Sequence, residues 1–237
     1  MKSRFSSRAK RFLERSHGGD WARARTDWRA LARADGLTRR GLKHLVFDGR
    51  WPGELRAVAC WLYAGVEGRR AEPMLRRVMA DIDPRVSQAA VQGLANVGGG
   101  ESIPPLLGLL TRGRDNDVRG SVVYALGKLC ARRAVPILIE ILMDVTETPA
   151  VRGFAAESLG SIGDRGACSS LVECLDDSVV EVQWWAAFAL GELGCDDALP
   201  KLQMIAQANE DLRHGRRNVT ASAANAVWKI GRIRSRT

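Results

Sequence analysis

Apolar and polar residues alternate along this chain with a helical period, and the helix itself recurs. Val182–Gly194, VQWWAAFALGELG, is the clearest copy. The same template stands at Val86–Gly98, Val118–Cys130, Val151–Gly163 and Val219–Gly231, and more loosely at Leu55–Glu67. The anchors Leu55, Val86, Val118, Val151, Val182 and Val219 are 31, 32, 33, 31 and 37 residues apart. Counted from each anchor as zero, positions 4, 5, 8 and 11 are apolar in nearly every copy, as in Ala186, Ala187, Leu190 and Leu193. That spacing lies on one face of a helix of 3.6 residues per turn. Glycine at position 12 (Gly98, Gly163, Gly194, Gly231) predicts a left-handed residue that ends this first helix, the A helix.

Position 18 is proline at Pro73, Pro104, Pro136 and Pro200. Proline suits the first turn of a helix, where its missing N–H has no partner to lose. A second, B helix is therefore predicted over Glu72 to Ala80, Pro104 to Thr111, Pro136 to Met143, Ala167 to Leu175 and Pro200 to Gln207. One such hairpin cannot bury its apolar stripe alone, so the units must stack. The predicted fold is all-α: a right-handed α-solenoid of roughly seven helical hairpins, the last partial.

The run Val118-Arg119, Ala125-Leu126-Gly127 and Ala134-Val135-Pro136-Ile137-Leu138 resembles HEAT-like repeats of the phycobilisome-lyase type, over about residues 52 to 231. The resemblance implies fold first. Its family includes chromophore lyases and scaffolds, and similar helical-repeat folds include DNA-binding glycosylases and a metal hydroxylase.

The expected domain layout is a basic N-terminal tail at 1–20, one solenoid at 21–231 and a basic tail at 232–237, with 21–50 a degenerate capping repeat. Within that cap, Trp21, Ala24, Trp28, Leu31 and Ala32 share one helical face, Gly36 breaks it, and Thr38 is placed to cap the next helix. The overall charge of +9 at pH 7 is unevenly spread. Residues 1–50 hold 14 Lys or Arg against 5 acids, residues 51–209 hold 15 against 20, and residues 210–237 hold 7 against 2. An acidic repeat body with basic ends argues against a nucleic-acid cradle, which would carry Lys and Arg across several repeats. If nucleic acid binds, Arg4, Arg8, Lys10, Arg11, Arg213, Arg216 and Arg217 are the candidates. No apolar run is long enough for a membrane span.

No residue pattern demands catalysis. The five cysteines include no C-x-x-C pair and are expected to be buried free thiols of a reducing, cytoplasmic setting. The three histidines, His17, His44 and His214, are isolated, with no His-Glu pair of the kind that likeness to a metal hydroxylase would require. The acid pairs Asp81-Asp83, Asp115-Asp117, Asp176-Asp177 and Asp196-Asp197 fall where helices begin and read as N-caps. Arginine follows the anchor at Arg25, Arg56, Arg119 and Arg152 and reads as a structural ladder between repeats.

The reading is thus no enzyme, no catalytic residue, no metal and no cofactor. The expected job is a non-catalytic scaffold or adaptor that docks another protein, an acidic one, on its B helices through Arg69, Arg70, Arg76, Arg77, Arg132 and Arg133. Trp184 and Phe188, four residues apart on the outward side of their helix, form a second expected docking patch, or a homodimer contact. The alternatives are a nucleic-acid binder using the basic ends and an accessory subunit like the bilin lyases.

Overall fold

The computed structural model describes residues 36–111, 116–207 and 219–235. Those residues form helices and turns, with no strand among them. In chain order the α-helices are α1 (Gly36–Phe47), α2 (Gly53–Glu67), α3 (Glu72–Val78), α4 (Pro84–Val97), α5 (Ile103–Leu110), α6 (Asn116–Lys128), α7 (Val135–Met143), α8 (Pro149–Ile162), α9 (Cys168–Glu173), α10 (Val180–Leu193), α11 (Leu199–Gln207) and α12 (Val219–Arg234). The A helices are α2, α4, α6, α8, α10 and α12. Each B helix is entered through one 3-10 turn, such as Gly68–Ala71 or Arg132–Ala134. The prolines at position 18 stand in the first turns of α3, α5, α7 and α11, as their missing N–H allows. In α9 that position is Ser169.

The position-12 residues behave in three ways. Gly163 and Gly194 end α8 and α10 in the left-handed region at φ 77° and 66°. Gly98 is extended at φ −71°, and Gly231 lies inside α12, so neither is the left-handed stop that the repeat pattern predicts. Cys130 takes the left-handed position after α6 at φ 50°, a conformation a β-carbon disfavours. Two further expectations shift. α1 begins at Gly36, so Thr38 lies within the helix, and α12 runs on to Arg234, into the segment read as a tail. The expected N-terminal tail and the helical face from Trp21 to Ala32 lie outside the described residues.

The chain divides into two compact units, Met1–Pro105 and Leu106–Thr237. In the first, α2 packs on α1 and α4, and α3 packs on α4. In the second, α6, α8, α10 and α12 pack in succession, while α7, α9 and α11 each pack on the A helix that follows. The position-8 leucines Leu94, Leu126, Leu159 and Leu190 are fully buried, as the period requires. Small residues set the approach of neighbouring A helices. A β-carbon on Gly160 would stand 3.0 Å from the Ala189 Cα, and one on Gly191 would stand 2.8 Å from the Ala226 Cα. Position 9 of one A helix thus meets position 7 of the next.

Candidate functional site

Of the arginine row, Arg56 and Arg152 are buried and Arg119 is half-buried, while Arg25 lies outside the described residues. In the first unit Arg56 Nε donates to the Val46 carbonyl at 2.9 Å, and its guanidinium grips both oxygens of Asp81. In the second unit Arg152 Nε donates to the Leu142 carbonyl at 2.8 Å and pairs with Asp177 in the same two-pronged way. Arg119 donates to the Leu110 carbonyl and pairs with Glu147. Each arginine closes the carbonyl end of the preceding B helix and ties it to an acid beyond its own. Such planar, forked donors match a carboxylate and a carbonyl together.

The acid pairs are therefore only partly caps. Asp83 caps α4, accepting the Arg85 N–H, and the Arg85 guanidinium beside it holds its carboxyl below the usual range. Asp81 and Asp177 serve the arginine ladder instead, which position in the sequence does not reveal.

The basic residues named as docking candidates are more open. Arg69, Arg70 and Arg77 in the first unit are exposed, as are Arg132 and Arg133 in the second. Arg76 is half-buried and pairs with Glu101 at 3.0 Å. The Arg77 guanidinium lies 5.2 Å over the Phe47 ring. Glu72 sits among this group. Burial pushes its carboxyl up, but the Ser102 hydroxyl, the Gly99 N–H and the charges of Arg76 and Arg69 together outweigh it, leaving the carboxyl below its ordinary value.

Trp184 and Phe188 are half-buried, so they do not form the open pair expected from their helix position. Their rings stack at 5.9 Å, Trp185 meets both edge-on, and the Lys229 ammonium from α12 lies 4.9 Å over Phe188. Trp185 seats against Gly153, where any β-carbon would fall 2.7 Å from the indole. A more exposed ring is Trp228, 57% accessible, with Arg232 stacked on it at 4.8 Å. The sequence held that signal. Position 9 is Ala64, Ala95, Gly127, Gly160 and Gly191, then Trp228.

The cysteines depart from expectation. Cys168, at the start of α9, is joined to Cys195, just beyond α10, in a disulfide. Cys60 and Cys174 are buried thiols, pushed up by burial to about 12 and about 11, and Cys130 is a free, exposed thiol. Testing for pairs within one helix misses a bond between repeats. Among the described residues no group of three or more His, Cys, Asp or Glu side chains could hold a metal ion. His44, at the end of α1, is exposed, while His17 and His214 lie outside the described residues, as do Arg4, Arg8, Lys10, Arg11, Arg213, Arg216 and Arg217. The donor set of the described residues does not fit a histidine-ligated metal centre.

The family described as HEAT repeats matches residues 46–127, 109–182 and 135–224. The chain belongs to the HEAT-repeat family. Among curated relatives of this HEAT-repeat protein, the deoxyhypusine hydroxylase of Bos taurus is 37% identical over 82 residues, which are 33% of this chain and 27% of that protein. The chain thus spans about a quarter of the length of that relative. Among solved structures, a designed armadillo repeat protein in complex with the peptide (KR)4 superposes with a TM-score of 0.56 at 20% identity, over 83% of this chain and all of that one. The CpcE and CpcF complex of phycocyanin lyase from Nostoc sp. gives a TM-score of 0.52 at 20% identity, over 66% of this chain and 98% of that chain. These two likenesses concern the fold.

The hydroxylase match corrects the functional expectation. The curated relative is an enzyme, so the reading as a non-catalytic scaffold, with its nucleic-acid and bilin-lyase alternatives, and the answer of no enzyme both give way. The physical reason is general. A repeat fold carries its chemistry in a few side chains gathered from separate repeats, so a missing local motif does not exclude catalysis.

Proposed function

We propose that this HEAT-repeat chain is an enzyme allied to the deoxyhypusine hydroxylases, acting on a protein substrate that its helical repeats recognise. The observation that carries the reading is the 37% identity to the cattle enzyme. In support, the first unit offers Arg69, Arg70 and Arg77, exposed and close in sequence, to an acidic stretch of that substrate. Arginine forks would hold its carboxylates in fixed register. Because the donor set of the described residues does not fit a histidine-ligated metal, no catalytic step is assigned to them; their part is to bind and orient. The cytoplasm is the compartment that goes with this reading. The finer likeness to repeats of the phycobilisome-lyase type rests on the Val118–Leu138 pattern and bears on ancestry of the repeat.

The test is direct. The purified chain, with and without added iron or manganese salts, is incubated with a deoxyhypusine-bearing protein and the product is weighed by mass spectrometry. Gain of one oxygen atom per deoxyhypusine is the expected result. The charge reversal Arg69→Glu/Arg70→Glu should then raise KM and leave kcat in place. No oxygen gained under any of these conditions would overturn the proposal.

A further inference from the structure

We infer that the Cys168–Cys195 disulfide is a redox-labile latch between consecutive repeats of the second unit. In repeat coordinates the bond joins position 17 of one repeat to position 13 of the next. The equivalent junction in the first unit is Glu72 and Gly99, where the Glu72 carboxylate accepts the Gly99 N–H at 3.0 Å. A non-covalent tie in one unit is thus replaced by a covalent, reversible one in the other.

The bond covalently fastens a turn whose own charged contacts are long. Asp196 follows Cys195 at once, and its ion pairs are long: 3.3 Å to Arg165 and 3.6 Å to Arg234. Its buried Oδ1 has no hydrogen bond. Once the bond opens, the turn Asp196–Ala198 loses its covalent tie to α9, and the neighbouring tie between the two repeats is Lys201 of α11, whose Nζ donates to the Val172 carbonyl at 3.1 Å and pairs with Asp176. Access is uneven. Cys195 is buried, whereas Cys168 is partly exposed, so an incoming thiolate meets the Cys168 sulfur first.

The chemistry is ordinary thiol exchange with a cellular thiol such as glutathione. Its thiolate attacks the Cys168 sulfur, the Cys168–Cys195 bond breaks, and Cys195 leaves as a thiolate that takes a proton. A second thiol resolves the mixed disulfide, releasing Cys168 as a thiol and the reductant as its disulfide. Two thiols are oxidised and one disulfide is reduced. The lability of the bond rests on the cytoplasmic setting that goes with the proposed function: in a reducing compartment a persistent disulfide is unusual, and those that form are typically transient or redox-sensing. The latch does not depend on the substrate assigned above, and its test does not read hydroxylation.

The experiment uses the intact chain equilibrated in glutathione buffers from oxidising to reducing, quenched, denatured and alkylated. Three thiols should label per chain at the oxidising end and five at the reducing end, with the crossover inside the range of cellular glutathione ratios. Hydrogen exchange of the Cys195–Ala198 amides should quicken by about tenfold or more on reduction. The variant Cys168→Ser/Cys195→Ser should exchange fast at every ratio. Five labelled thiols in the oxidised chain, a bond that stays closed at every ratio, or exchange unchanged by reduction would each overturn the proposal.

Discussion

Replacing Arg152 with methionine should be among the most damaging single changes in the second unit. The Arg152 side chain is 5% exposed and that of its partner Asp177 is 10% exposed. Methionine keeps most of the stem volume but removes the charge and every donor. Asp177 is then a buried carboxylate facing no cation, and the Leu142 carbonyl loses the Arg152 Nε donor. Breaking a buried pair by removing one member costs about 3–5 kcal/mol, because the surviving charge is uncompensated. For a chain of this size that lowers the melting temperature by roughly 6–20 °C. Adding Asp177→Asn isolates the cause. The amide has no charge to strand, and its oxygen still accepts the Val179 N–H, which Asp177 Oδ1 does at 2.8 Å. The remaining cost is the Leu142 carbonyl, about 1–3 kcal/mol. Thermal and urea melts of wild type, single and double variants measure both terms. A loss below about 1 kcal/mol for Arg152→Met would place the pair with exposed ones. A double variant no more stable than the single would show that stranded charge is not the cost. Either result refutes the reasoning.

Other expectations follow from particular contacts. Gly191→Ala puts a methyl 2.8 Å from the Ala226 Cα, and, since backbone cannot yield as a side chain can, it should cost about 1–3 kcal/mol in the same melts. Cys130→Gly relieves a left-handed β-carbon at φ 50° and should stabilise by about 1 kcal/mol. Iodoacetamide on the native, oxidised protein at pH 8 should label Cys130 alone, because burial pushes Cys60 to about 12 and Cys174 to about 11; mass spectrometry of tryptic peptides reads this directly. The Glu72 carboxyl lies below its ordinary value in the fold, so its stabilising contribution is present above that ordinary value and fades as pH falls through the folded one. Melts of Glu72→Gln and wild type should therefore converge toward acid and separate toward neutral pH.

The period of about 32 residues, the apolar faces and the prolines at position 18 were legible because each is a local requirement repeated in every copy. The arginine ladder was legible for the same reason, although its acid partners 25 to 28 residues ahead were not. Function was the least legible part. The relative that corrects it is an enzyme, and no motif within this chain announced that.

Sequence alone thus determined the helical hairpins and which face of each is apolar, since helix geometry converts spacing into a face without reference to anything distant. The tertiary structure alone decided which residues meet across repeats: Cys168 with Cys195, Glu72 with Gly99, and α12 laid over Phe188 so that its ring is half-covered. Those pairings depend on the offset between stacked hairpins. That offset is set by the small residues at position 9 against position 7 of the next helix, a contact that exists only once two repeats have packed.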